Sequence, residues 1–181
     1  MHSLKQLRNG VRDFCQTLDQ VGIGFFWHYV LCPKFEDVPV SATFRPNETL
    51  QVIENATIES SLLSIRILDE FFSDENIRPN DIRAAHYIGF TSPDRFLSKF
   101  EINAINRRVA HLTTQRDSSE DPWQIVPLIE RAYGAAKPFL SYLISDAGAQ
   151  FQPAGPIFVS SRLEMCQTIG PLIKSHLERI N

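Results

Sequence analysis

The stretch LKQLRNGVRDFCQTLDQVGIGF, Leu4 to Phe25, decides the fold. Leu4, Leu7, Val11, Phe14, Leu18, Val21 and Phe25 recur at alternating steps of three and four. At about 100° per residue, that spacing puts all seven on one stripe of a helix. A half-buried strand would need steps of two. A stripe held this long fits a coiled coil or one long helix of a bundle, and we read it as a bundle helix. Gly22 and Gly24 predict that another backbone passes closely near its end. Pro33 stops it.

The same periodicity recurs downstream. Ile58, Leu62, Ile65, Leu68 and Phe72 predict a second helix from about Thr57, ended by Asn76 and Pro79. A short helix is expected at Asp81–Ile88 and a third main helix from about Asp94 to Thr113. Asp121 and Pro122 form an N-cap and first-position pair for a fourth helix. That helix runs through Trp123, Val126, Ile129, Tyr133, Leu140 and Leu143, with a kink at Pro138. Ala147–Pro156 is a linker. Ser161-x-x-Glu164 resembles a capping box opening the last helix, which packs with Leu163, Cys166, Ile169, Leu172, Ile173, Leu177 and Ile180.

Residues 33–55 read differently. Pro33, Pro39 and Pro46 argue against a continuous helix. Val38, Val40, Ala42 and Phe44 alternate, and Arg45-Pro46-Asn47-Glu48 is turn chemistry leading back through Leu50 and Val52. The expectation is a long irregular crossover holding a short hairpin. The chain is therefore expected to be all-α, an up-and-down bundle of about five helices forming one domain over residues 1–181.

With 181 residues, 43% of them apolar, the chain can bury a core without staples. The balance of 18 basic against 21 acidic residues gives −3, so there is no global field for nucleic acid. Cys15, Cys32 and Cys166 are odd in number and widely spaced, which argues against a disulfide framework and for a reducing, cytoplasmic setting. The apolar run VGIGFFWHYVLC (Val21–Cys32) is too short to span a bilayer, and the first residues carry no secretory pattern, so no membrane partner is expected. No H-x3-H, H-E-x-x-H, glycine-rich phosphate loop or G-x-S-x-G elbow occurs. Neither a metal nor a cofactor is expected.

The candidate for chemistry is INRRVAHLTTQR, Ile105 to Arg116. On a helix, Ile102, Ile105, Val109 and Leu112 fall within about 80° and face the core. His111 lies roughly 120° from Ile105, with Phe100, Ala104 and Arg107 within about 40° of it. Arg107 and His111 are four apart and can approach each other. A guanidinium holds a neighbouring imidazole neutral, and it can grip a phosphate. Together they form a minimal kit for metal-independent cleavage of RNA. The competing reading is a bundle residue with satisfied hydrogen bonds. His86 could face the same cleft as His111, and it also fits a satisfied histidine in the bundle.

Three segments carry a family resemblance: SLLSIRILDEFF (Ser61–Phe72), DIRAAHYI (Asp81–Ile88) and INRRVAHLT (Ile105–Thr113). Over about residues 57–116 the pattern resembles the HEPN (higher eukaryotes and prokaryotes nucleotide-binding) superfamily. It is nearest to small bacterial helical proteins related to phage abortive-infection systems. The resemblance implies an up-and-down bundle, commonly a homodimer. Catalytic members are metal-independent ribonucleases that juxtapose two copies of an Arg-x4–6-His motif. Carried over, His111 is the general base or acid, and Arg107 or Arg108 binds phosphate. Arg107 leaves three residues before His111, and the shortest family spacing falls on Asn106, whose amide carries no charge. This departure favours a non-catalytic protein binding RNA, a nucleotide-like anion or a protein partner, with Asn106, Arg66, Asp69 and His86 as binding candidates. A HEPN-type endoribonuclease is the alternative.

Overall fold

The computed structural model describes residues 2–26, 46–110, 125–153 and 156–180. Its helices are α1 (Leu4–Phe26), α2 (Pro46–Phe72), α3 (Lys99–Ala110), α4 (Ile125–Ile144) and α5 (Pro156–Ile180). Single 3-10 turns lie at Ala84–His86 and Ala149–Phe151. There is no strand among the described residues, and the helices form a bundle. None of the described helices is long and apolar enough to cross a membrane.

α1 opens on a capping box that composition alone does not advertise. Ser3 N–H donates to Gln6 Oε1 at 2.8 Å, and Gln6 N–H donates to Ser3 Oγ at 3.3 Å. Leu7, Val11, Phe14, Leu18 and Val21 are buried as the stripe requires, while Leu4 at the helix end is partly open. α1 packs mainly on α2, and α4 mainly on α5; α2 and α4 join the two pairs. Phe139 of α4 holds the centre, with Phe14, Phe71 and Phe90 rings each about 5 Å away. A fully buried side chain of this size contributes ~1.5–3 kcal/mol by leaving water.

The crossover expectation is corrected in its second half. Leu50 and Val52 lie in α2, not in a returning strand. Pro46 occupies the first helical position, where its missing N–H costs nothing. No glycine or further proline breaks residues 47–72, so helical periodicity continues to Phe72. Residues 33–45, including the alternating Val38–Phe44 segment, lie outside the described residues.

Three other boundaries move. Residues 94–98 are not helical, and α3 begins at Lys99 because Ser98 and Glu101 cap it: Ser98 N–H donates to Glu101 Oε2 at 2.8 Å. Residues 81–88 hold only the 3-10 turn, since Asp81 turns back to accept from Arg78 N–H at 3.1 Å. Ser161 lies inside α5, its hydroxyl donating to Phe158 O, so it caps nothing. Gly22 is explained by a side chain rather than a backbone. A Cβ there would meet the Tyr133 hydroxyl at 2.5 Å, and that hydroxyl donates to Leu18 O at 3.2 Å.

Candidate functional site

Asp69 organises the region where α2 meets the start of α3. Its side chain is wholly buried. One oxygen accepts the N–H groups of Phe96 and Leu97, both at 2.9 Å. The other accepts Arg95 Nε at 2.9 Å and Nη2 at 2.7 Å. A buried carboxylate survives only with such complete pairing. From the other side, Arg131 of α4 donates to Phe96 O at 2.9 Å and pairs with Glu101. Residues 95–101 are thus clamped between α2 and α4, and α3 leaves the clamp in a fixed direction.

That clamp forms one wall of an open cleft of about 770 Å³. Arg66 and Glu70 of α2, Arg78, Asp81 and Arg83 of the connecting segment, Arg95, and Lys99 and Asn103 of α3 all line it. Among the described residues its charged lining is five cations against the three carboxylates Glu70, Glu75 and Asp81. Arg66 pairs with Glu70 at 2.9 Å, Arg83 with Asp81 at 2.9 Å, and Arg95 also reaches Glu75 at 3.0 Å. The Asp81 carboxyl is held below its usual range, first by the Arg78 N–H and then by Arg83. Arg78 and Lys99 make no ion pair among the described residues. The Nε groups of Arg66 and Arg83 are buried without an acceptor, a condition that costs about 1–3 kcal/mol each. The cleft therefore has cationic capacity that its own carboxylates do not use.

The outward face of α3 follows the helical projection over the described residues. Ile105 is buried, Ile102 and Val109 pack partly against the core, and Phe100 is 80% exposed. Arg107 is exposed and makes no ion pair among the described residues. Asn106 Oδ1 is buried without a partner. The helix is continuous to Ala110, but the Arg108 side chain and all of His111 lie outside the described residues. The Arg107–His111 pairing therefore lies outside them too.

The sequence candidates separate into three places. Arg66 and Asp69 meet Glu70 and Arg95, not Arg107. His86 does not line the cleft. Its Nδ1 accepts the Arg83 N–H at 3.0 Å, and its ring packs edge-on to His2 at 4.6 Å. Burial, then the charges of His2 and Arg83, depress its pKa below the usual value, so the neutral ring suits this acceptor role. Sequence reasoning missed Arg78, Arg83, Arg95, Lys99 and Asn103. They come from separate segments and share no motif. Among the described residues, no group of three His, Cys, Asp or Glu side chains could hold a metal ion. The chain matches no family model, no curated protein and no solved structure.

Proposed function

We propose that this protein is a non-catalytic, HEPN-like helical-bundle protein that binds a phosphate-bearing anion in the α2–α3 cleft. The observation that carries this reading is the gathering of Arg66, Arg78, Arg83, Arg95 and Lys99 around one open cavity. Guanidinium groups suit phosphate because they donate paired, charge-assisted hydrogen bonds. The cleft volume falls within the range of small-ligand sites. The cleft carboxylates Glu70 and Asp81 are held in ion pairs with Arg66 and Arg83, which favours binding over turnover at this place.

The test is a thermal-unfolding series in inorganic phosphate against sodium chloride of equal ionic strength. A ligand of the folded state raises the midpoint by mass action, so phosphate is expected to stabilise and chloride is not. A parallel arm incubates the protein with a short RNA and a chelator. Intact RNA fits the binding reading. Cleavage that is lost in His111→Ala would replace it with the ribonuclease reading.

A further inference from the structure

The cleft does not stand alone. A second groove, of about 330 Å³, runs along α1 and α2 and shares Glu70, Asp81 and Arg83 with it. The groove also carries Asp13, Thr17 and Asn80, but it is the more apolar of the two. α2 turns Arg66, Glu70 and Ser73, spaced by four and three, into the cleft. On its adjoining face it turns Ile67, Leu68 and Phe71 into the groove, where Phe14 and Ile82 join them. Ile67 is 45% exposed there, an aliphatic side chain left open beside a cationic cavity. Gly10 lets this wall close up, since a Cβ at that position would meet Ile82 Cγ2 at 2.7 Å.

We infer that cleft and groove form one bipartite site for a single-chain amphipathic anion, with a phosphate head among the arginines and an alkyl chain along Ile67, Phe71 and Ile82. The inference rests on the anion reading of the cleft and adds the ligand's second half. Arg83 stands at the junction. Its guanidinium pairs with Asp81 and donates to the Glu70 carbonyl, so it faces both chambers while tied to the end of α2. Charge complementarity selects the head. Among the described residues the cleft lining contains no aromatic ring on which a nucleobase could stack, and its apolar side chains are Leu97 and Ile102. The groove next door sets Ile67, Leu68 and Ile82 beside the buried rings of Phe14 and Phe71, an apolar path that a flexible chain can follow.

The experiment titrates the full chain with inorganic phosphate, butyl phosphate, octyl phosphate and adenosine monophosphate, all below micelle-forming concentrations. The expected result is tightening of about two- to four-fold per methylene across the alkyl series, with the nucleotide no tighter than inorganic phosphate. Ile67→Asn, neutral and at an exposed position, is expected to keep phosphate affinity and flatten the chain-length dependence. Phosphate binding without chain-length dependence overturns this inference and leaves the cleft reading standing. A chain-length dependence unchanged in Ile67→Asn, or a nucleotide that outbinds octyl phosphate, also overturns it. Binding of none of the four overturns both readings. Co-sedimentation with anionic phospholipid vesicles, without binding of monomeric octyl phosphate, would assign the head group to a membrane lipid and contradict the single-ligand form.

Discussion

Asp69 and Arg95 are joined side-on across 26 residues of sequence, with Asp69 Oδ2 at 2.7 Å from Nη2 and 2.9 Å from Nε. The carboxylate is wholly buried while the guanidinium remains partly open to the cleft. One residue thus anchors the fold, and the other brings charge to the cavity.

Removing the anchor is expected to be costly. Asp69→Ala leaves the Phe96 and Leu97 N–H groups without their acceptor and Arg95 with Glu75 alone, and should lower stability by about 3–5 kcal/mol. Asp69→Asn keeps an acceptor for the Phe96 or Leu97 N–H and should cost less. Urea unfolding of both variants checks this, and a loss below about 1 kcal/mol for the alanine variant would contradict the clamp.

Gly22 and Tyr133 should behave as a coupled pair. A methyl at position 22 meets the Tyr133 hydroxyl at 2.5 Å. Gly22→Ala is expected to destabilise by about 1–3 kcal/mol despite better helix propensity. Tyr133→Phe alone loses the bond to Leu18 O, worth about 1 kcal/mol. In the double variant the clash is gone, so the combined loss should fall short of the sum. Strict additivity in denaturant unfolding would refute the contact.

Acid should weaken the α3–α4 link in a defined window. Hydrogen bonds from Arg131, then from Ser98, offset burial and bring the Glu101 carboxyl down from 4.5 to about 2. The folded state therefore holds the proton less tightly than the unfolded chain. This contribution is fully present above about pH 4.5 and is lost as pH falls toward 2. The pair is largely solvent-screened, so its size is about 1 kcal/mol. Stability of the wild type and of Glu101→Gln, followed from pH 6 downward, should converge in that interval. A gap that stays constant to the acid limit would argue against the pairing.

How far the sequence announced this structure depends on the range of the interaction. α1 was legible because Leu7, Val11, Phe14, Leu18 and Val21 obey one local period and are all buried. The start of α2 was not, because Pro46 marks either a break or a first turn, and the choice is made by packing further along. Ser98-x-x-Glu101 is a capping box written in the sequence, and it places the start of α3 at Lys99 rather than near Asp94. The Asn106-Arg107 segment is helical as the motif required, while the binding candidates Arg66 and Asp69 pair with Glu70 and Arg95. The cleft was the least legible feature. Arg95 joins Arg66 and Arg83 because Asp69 draws residues 95–97 onto α2, and no spacing rule encodes that.

The central claim is that the cleft is a phosphate site, and calorimetric titration with inorganic pyrophosphate tests it most directly. Arg78 and Lys99 are exposed and make no ion pair among the described residues, so Arg78→Glu and Lys99→Glu should fold normally. We expect saturable binding by the native chain, weakened about ten-fold or more by each reversal, a change of roughly 1.4 kcal/mol or above. Heat signals absent from the native protein, or identical in all three proteins, would contradict the account.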